Sequence, residues 1–376
     1  MSETPLQFID LAAQRARLGS AMDEAILAVV HHGGYILGPE VKQLEAELAS
    51  YCGVSEAISC ASGTDALLLP LMAWGVGPGD AVLVPTFTFA ATAEVVALLG
   101  ATPVFVDVDP ITFNLDPTGL SGAIDAASKA GLRTVGIIAV DLFGHPAPYA
   151  PIEAFATEHG IWVLSDAAQS FGCTLDGRRA GKFGDVTATS FFPAKPLGCY
   201  GDGGAIFTND AELAATMRSL RVHGQGKDKY DNVRIGVNAR LDTIQAAVLL
   251  QKLSIFDDEL VLRQEAADRY ASGLGSLVTV PVLANGATSA WAQYTIQVES
   301  RDALAASLKA AGVPTNVYYP LPLHQQTAYR GFPRTDDVLP VSEKLSQQVL
   351  SLPMHPYLTG KDQNRVVAAV VAHLGS

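Results

Sequence analysis

Residues 189–204 read TSFFPAKPLGCYGDGG, and the lysine in this stretch is Lys195. A lone lysine on a loop is normally a solvated charge, but Lys195 follows an apolar segment and precedes a glycine cluster. Upstream, residues 166–170 read DAAQS and begin with Asp166, directly after the apolar run 161–164 and one serine. This pairing indicates a lysine that forms a Schiff base and a carboxylate that partners a pyridinium nitrogen.

Lys195 and Asp166 meet the demands of pyridoxal phosphate (PLP) chemistry. An amine forms an imine when it is close to a carbonyl and partly deprotonated, which a crowded, half-desolvated pocket favours. The cofactor's ring nitrogen must keep its proton to accept electrons, and a buried carboxylate is the usual device for this. Because ligand groups in open α/β sheets collect at the carboxyl ends of strands, we predict that Asp166 and Lys195 are the catalytic pair.

Short apolar runs alternate with helical patterns through the middle of the chain, which is typical of an α/β protein. Most of the runs are continuously apolar, as expected when both faces of a parallel sheet are covered. The candidate strands are residues 81–84, 102–106, 134–140, 161–164, 186–190 and 204–208. We therefore predict a mainly parallel sheet in a large cofactor-binding domain. This domain and an N-terminal arm together would comprise residues 1–250. A smaller α+β domain is predicted for residues 251–376.

Composition narrows the possible partners. The net charge is −13, which argues against binding to nucleic acid or to an anionic membrane surface. Residues 1–7 lack the basic and apolar regions of a signal peptide, and no apolar run reaches the length of a membrane span, so we expect a cytoplasmic protein. The four cysteines are scattered without a C-x-x-C pair, so neither a metal site nor a disulfide framework is predicted.

A phosphate-binding helix start is predicted at residues 62–67, where Ser62 can cap the helix and Gly63 and Thr64 let an anion approach the backbone. Pro70 is expected to end or kink this helix after two turns. Ser190 is a second phosphate donor or, alternatively, a strand-end serine bonded to its own backbone. Phe89 either stacks on the cofactor ring or packs in the core.

These segments resemble the PLP-dependent sugar-nucleotide aminotransferases of the DegT/StrS family, which have the aspartate-aminotransferase fold, PLP fold type I. The resemblance covers nearly the whole chain, and the motifs follow the family's order and spacing. It is carried by residues 34–39, 62–67, 87–92, 166–172, 190–204, 236–242, 318–324 and 351–356.

The resemblance implies a role for each matching position in a PLP site. The cofactor-binding set would be Lys195 in the Schiff base, Asp166 at the ring nitrogen, Gln169 near the phenolic oxygen, Ala168 and Phe89 on the two ring faces, Gly63, Thr64 and Ser190 at the phosphate, and Asn238. Asn238 would reach from a neighbouring subunit, so the resemblance implies a homodimer with shared active sites.

The resemblance also implies the reaction. Glutamate would donate the amino group and leave as 2-oxoglutarate, and a nucleotide-linked keto sugar would receive it. Members with histidine in place of the lysine dehydrate the sugar, so Lys195 favours amino transfer.

Residues 190–204 and 351–358 look most like enzymes acting on UDP-2-acetamido-2-deoxy-3-oxo-glucuronate in bacterial O-antigen and lipopolysaccharide pathways, although Tyr318 stands where such enzymes carry histidine. The substrate residues implied are Tyr35, Arg240, Tyr318, Tyr319 and His324, with Arg240 either pairing with the glucuronate or forming an interface ion pair. The alternatives are a transaminase for a 4-keto-6-deoxy nucleotide sugar, another PLP enzyme of the same fold such as a lyase, and a non-catalytic regulatory or binding protein of this fold.

Overall fold

A computed structural model describes residues 6–228 and 230–375 of the chain. The expected absence of a signal peptide was argued from residues 1–7, and most of this segment lies outside the described residues. The helices are α1 Leu11–Leu18, α2 Ser20–His32, α3 Pro39–Cys52, α4 Gly63–Ala73, α5 Ala91–Leu98, α6 Leu120–Lys129, α7 Tyr149–His159, α8 Ala211–Leu220, α9 Thr243–Leu253, α10 Phe256–Leu274, α11 Arg301–Ala310, α12 Pro340–Gln348 and α13 Gly360–Leu374. The strands are β1 Glu56–Cys60, β2 Asp80–Pro85, β3 Thr102–Val106, β4 Arg133–Val140, β5 Trp162–Asp166, β6 Thr174–Leu175, β7 Arg178–Arg179, β8 Val186–Ser190, β9 Gly204–Thr208, β10 Tyr294–Gln297 and β11 Val349–Leu352.

Seven strands form the central sheet, in the order β1-β9-β8-β5-β4-β2-β3. Strand β9 is antiparallel to both of its neighbours, and the other pairs are parallel. Six strands thus point the same way, which confirms the predicted α/β fold with a mainly parallel sheet. Their carboxyl ends meet at one edge, where the loops after β1, β2, β5 and β8 lie.

Both faces of the central sheet are covered by helices. Successive residues of each strand point to opposite faces, so each strand contributes to two apolar cores. In β2, Val82 and Val84 pack in an apolar core with residues of α4, α5 and α8. Ala81 and Leu83 pack on the other face with residues of α6 and α7. The apolar runs of the sequence are continuous because the sheet is buried on both sides.

A second, two-stranded antiparallel sheet joins β10 to β11. Its apolar core brings together residues of α10, α11 and α13, such as Tyr270, Leu304 and Val366. The division into residues 1–250 and 251–376 stays a prediction. Among the described residues, no helix has both the length and the apolar content needed to cross a membrane.

Helix α4 differs from the expectation drawn from Pro70. The helix runs on to Ala73, one turn beyond the proline, so the prediction that Pro70 ends it is wrong. Pro70 is buried in the core, and its carbonyl accepts a hydrogen bond from Trp74 N at 2.9 Å. Core packing and a carbonyl that remains bonded compensate for the missing N–H donor.

Candidate active site

Asp166 is the last residue of β5, at the carboxyl edge of the central sheet. Its carboxylate is buried and accepts hydrogen bonds from Thr92 Oγ1 at 2.9 Å and from the backbone N of Ala168 at 3.2 Å. Burial raises the pKa of Asp166, and the two hydrogen bonds and the charge of Lys195 oppose this shift. The carboxyl group is therefore held in one orientation and has an elevated proton affinity.

Lys195 follows the neighbouring strand β8, in a turn closed by a hydrogen bond from Lys195 N to Phe192 O at 2.8 Å. The residue is half-buried, and burial lowers the pKa of its amine, although the nearby charge of Asp166 opposes the shift. A lowered pKa increases the neutral fraction of the amine, and the neutral form is the one that accepts a proton or attacks a carbonyl.

The start of α4 lies against the end of β8. Ser62 caps the helix by accepting a hydrogen bond from Asp65 N at 3.0 Å, as predicted. Because the first N–H groups of a helix have no partner inside it, those of Gly63 and Thr64 are available to an anion. A Cβ atom at Gly63 would lie 2.6 Å from Ser190 Cβ, so only glycine lets the helix start approach this strand end.

The local hydrogen bond predicted for Ser190 is present, and its role as a phosphate donor stays a prediction. Its Oγ accepts a hydrogen bond from Phe192 N at 3.2 Å, the local bond expected of a strand-end serine. A hydroxyl oxygen that accepts one bond keeps its proton to donate elsewhere. Because Gly63 lies against Ser190, the backbone donors at the start of α4 and the Ser190 hydroxyl lie close together, and we call these groups the donor cradle.

Gln169 lies in the turn after β5, and both ends of its side-chain amide are bonded. Its Oε1 accepts from Phe143 N at 2.7 Å, and its Nε2 donates to the Tyr319 hydroxyl at 3.3 Å. Tyr319 is therefore brought to the same edge of the sheet as Asp166. Burial raises the pKa of the Tyr319 phenol, which keeps it a neutral hydrogen-bonding group.

The two phenylalanines after β2 differ in burial. Phe87 is buried in the core, whereas Phe89 leaves 59% of its surface exposed at the edge of the sheet. The Phe89 ring lies 6.4 Å from that of Tyr319, and Ala168 is half-buried in the turn after Asp166. Phe89 and Ala168 thus offer free surface near the carboxylate.

Asn238 and Arg240 lie on an exposed segment, where Arg240 Nε donates to Asn238 Oδ1 at 2.9 Å. Between them, Ala239 O accepts from Ala61 N at 3.1 Å, so the segment runs beside the start of α4 of its own chain. Both side chains are presented away from the buried core.

The side chains of Tyr35 and His324 are bonded to other parts of the chain. Tyr35 is 47% exposed, and its hydroxyl donates to Val30 O at 3.3 Å. His324 is buried, with Nδ1 2.7 Å from Thr86 Oγ1 and Nε2 3.1 Å from Glu343. Both nitrogens of His324 are thus engaged within the chain, and its role toward a substrate stays a prediction.

The site fits PLP in each part that the cofactor needs. A half-buried amine with a lowered pKa lies beside a buried carboxylate, and a donor cradle that tolerates only glycine at residue 63 suits a phosphate. Within the described residues, no group of three or more His, Cys, Asp or Glu side chains is placed to hold a metal ion. Fold and site together define a PLP-dependent transferase of fold type I.

The comparisons with known proteins agree with this class. The chain belongs to the DegT/DnrJ/EryC1/StrS aminotransferase family, whose model matches residues 17–371. It is 51% identical to the UDP-2-acetamido-2-deoxy-3-oxo-D-glucuronate aminotransferase of Pseudomonas aeruginosa, over 97% of this chain and 99% of that protein.

Solved structures of the family superpose closely on the chain. A DegT DnrJ EryC1 StrS aminotransferase from Brucella abortus has a TM-score of 0.97 and 56% identity, covering 99% of this chain and 100% of that one. NtdA from Bacillus subtilis, with bound cofactor PMP, has a TM-score of 0.89 and 29% identity, covering 100% and 86% of the two chains. The chain is a PLP-dependent sugar aminotransferase.

Thr92 is a site residue that motif reading did not single out. Its hydroxyl lies 2.9 Å from Asp166 Oδ2 and 3.0 Å from Thr88 Oγ1. It was part of the family motif 87–92, but its role depends on a contact with Asp166, 74 residues away, which sequence spacing does not reveal.

Replacing Thr92 by valine is expected to lower kcat about tenfold, because a hydrogen bond to a charged group contributes about 1.5–3 kcal/mol. Loss of this bond should also raise the pKa of Asp166 further, since the bond now lowers it. Steady-state kinetics would measure the change. Thr88→Val is the matched control, because Thr88 is hydrogen-bonded to Thr92 and not to the carboxylate of Asp166. An equal loss of kcat in both variants would contradict the role assigned to Thr92.

Proposed function

We propose that this chain transfers the amino group of glutamate to C3 of UDP-2-acetamido-2-deoxy-3-oxo-glucuronate, in the cytoplasm, for a bacterial surface polysaccharide such as O-antigen lipopolysaccharide. The observation that carries the choice of sugar is the 51% identity, along 97% of the chain, to an aminotransferase named for this substrate. Arg240, half-buried on an exposed segment, offers a cation for the added carboxylate.

The proposed roles of the central residues follow from their geometry. When bound, PLP supplies a protonated ring nitrogen that draws electrons from the substrate carbon. Asp166 holds the proton at that nitrogen, because its buried carboxylate is oriented by Thr92 and Ala168. The Lys195 amine removes the proton from Cα of glutamate and delivers a proton to the sugar carbon in the second half of the cycle, and its lowered pKa favours the neutral amine that proton removal needs.

The surrounding residues bind and orient. Gly63 and Thr64 would hold the cofactor's phosphate through their backbone N–H groups, and the Ser190 hydroxyl would add a third donor. Phe89 and Ala168 would cover the two faces of the cofactor ring. Gln169 Nε2, which donates to the Tyr319 hydroxyl at 3.3 Å, would also donate to the phenolic oxygen of the cofactor. These side chains orient the reacting atoms.

The proposed acceptor residues are Tyr318, Tyr319, Tyr35 and His324. Tyr319 lies at the edge of the sheet, and the ring of Tyr318 lies beside it, with ring centroids 5.9 Å apart. Tyr35 and His324 complete the proposed set, His324 by fixing the loop that follows Tyr318 and Tyr319 through its bond to Thr86.

The proposed homodimer rests on surface residues that a single chain leaves uncovered. Ile235 is 90% exposed and Val233 is 54% exposed, on the same segment that carries Asn238. Large apolar side chains at such exposure are typical of an interface between copies. We propose that this segment meets the partner subunit and that Asn238 completes the partner's phosphate site.

Mixing two inactive variants would test whether the sites are shared. Lys195→Ala and Asn238→Ala homodimers should each have low activity, whereas a mixed dimer contains one intact site and one doubly defective site. Random re-association is expected to restore about a quarter of the unsubstituted activity. If Asn238 served its own subunit, the mixture would remain as inactive as its components.

A panel of acceptors tests the proposed sugar. The enzyme, given glutamate, should aminate UDP-2-acetamido-2-deoxy-3-oxo-glucuronate, and mass spectrometry of the product should show the amino sugar. Replacing Arg240 by methionine is expected to raise the KM for this acid about tenfold and to leave the KM of the 3-oxo sugar without the carboxylate unchanged, because only the former carries the added anion. Turnover confined to a 4-keto-6-deoxy sugar would reject the proposed substrate.

A further inference from the structure

The N-terminal segment 6–18 packs along the part of the chain that contains β10, β11 and α10, and we call it the N-terminal strap. Leu6 is buried in the apolar core beside the two-stranded sheet. The carbonyl of Phe8 accepts a hydrogen bond from Met354 N at 3.2 Å, just after β11. Asp10 then caps α1 by accepting from Ala13 N at 2.8 Å. Contacts on both sides of Phe8 in the sequence therefore hold the strap in place.

Buried polar contacts fix the strap to α10. Gln14 Nε2 donates to the two carboxylate oxygens of Glu259 at 3.0 and 2.9 Å, and both residues are buried. The hydroxyl of Tyr357 also donates to Glu259. Arg17 adds an ion pair with Asp258 at 2.7 Å, at the surface. Because a buried carboxylate without partners is costly, this network strongly favours one position of the strap.

The fixed position of the strap places the Phe8 ring at the end of a row of aromatic side chains. The Phe8 and Tyr318 ring centroids lie 6.5 Å apart, those of Tyr318 and Tyr319 5.9 Å apart, and those of Tyr319 and Phe89 6.4 Å apart. Tyr319 is bonded to Gln169, so the inner part of the row lies at the carboxyl edge of the sheet. Phe8 is half-buried, which leaves part of its surface free.

We propose that Phe8 is a substrate-binding residue that packs against the nucleotide end of the sugar nucleotide. This inference rests on the proposed function of the site. An acceptor sugar that reacts near Lys195 must extend its nucleotide away from that residue, and the aromatic row runs from this edge of the sheet to the N-terminal strap. Planar bases pack favourably on aromatic rings, and the benefit does not depend on hydrogen bonds. Glutamate is too short to reach beyond the inner rings.

Two variants of Phe8 test the proposal with UDP as the probe. In Phe8→Ala we expect the Kd of UDP, measured by calorimetry on the PLP-loaded enzyme, to rise roughly tenfold, as for loss of one stacked base. Phe8→Leu keeps an apolar side chain against Tyr318 but has no aromatic face, so a comparable loss is expected. The KM of the nucleotide sugar should rise with the Kd, while the half-reaction with glutamate keeps its rate.

Phe155→Ala provides the control, since this ring stacks on His159 within α7 with a centroid distance of 4.1 Å. It should leave the Kd of UDP unchanged. An unchanged Kd in both Phe8 variants would overturn the proposal, as would an equal slowing of both half-reactions. If the unsubstituted enzyme binds UDP but aminates no keto sugar, the proposed function fails while the UDP measurement still decides the role of Phe8.

Discussion

Lys195→Ala is expected to lower kcat by at least about 10⁴-fold, since it removes the only side chain proposed to move the proton. The amine is half-buried and burial lowers its pKa, which favours the neutral form that accepts the proton. Release of 2-oxoglutarate from glutamate, followed over time with the keto sugar present, measures the loss.

Lys195→Arg separates the two properties of this side chain. A guanidinium keeps the positive charge beside Asp166 but cannot lose its proton near neutral pH. We expect this variant to be as inactive as the alanine variant while folding normally. Activity within about tenfold of the unsubstituted enzyme in either variant would show that proton transfer does not depend on the lysine amine.

Asp166→Asn is expected to lower kcat roughly a thousandfold and to weaken PLP binding, because the neutral amide cannot stabilise a protonated ring nitrogen. Asparagine has nearly the same shape and can still accept the hydrogen bond from Thr92, so the fold should be retained. Turnover and the dissociation constant of PLP are the two measurements.

Asp80→Asn is the matched control for that substitution. Asp80 is also a buried aspartate, but it lies at the amino end of β2 and pairs with Arg133 at 2.7 Å. The change there should lower thermal stability and leave PLP binding unaltered. A similar loss of PLP affinity in both variants would attribute the effect at Asp166 to general destabilisation.

Much of the fold could be predicted because the parallel sheet is buried on both faces. Strands β3, β8 and β9 begin and end where the apolar runs do, at Thr102–Val106, Val186–Ser190 and Gly204–Thr208. Strand β1 was not predicted, since Glu56 and Ser59 interrupt its apolar residues. Ser59 is nevertheless buried, with its hydroxyl donating to Glu45 at 2.7 Å, a partner that periodicity does not show.

The central pair of the candidate site follows from residue types and strand ends, whereas its supporting contacts depend on tertiary packing. The bond from Gln169 to Tyr319 joins residues 150 positions apart, and the contact of Phe8 with Tyr318 spans most of the chain. Only the folded chain shows that Phe87 is core and Phe89 is exposed, because both lie on the same loop with the same residue type.

The visible absorption of the PLP-loaded enzyme through one complete cycle tests the central claim most directly. Glutamate alone should abolish the visible band of the bound cofactor and release one 2-oxoglutarate for each Lys195, and the 3-oxo sugar nucleotide should then restore the band. Lys195→Ala should complete neither step. A band that glutamate leaves unchanged, or one that returns without formation of an amino sugar, would contradict the account.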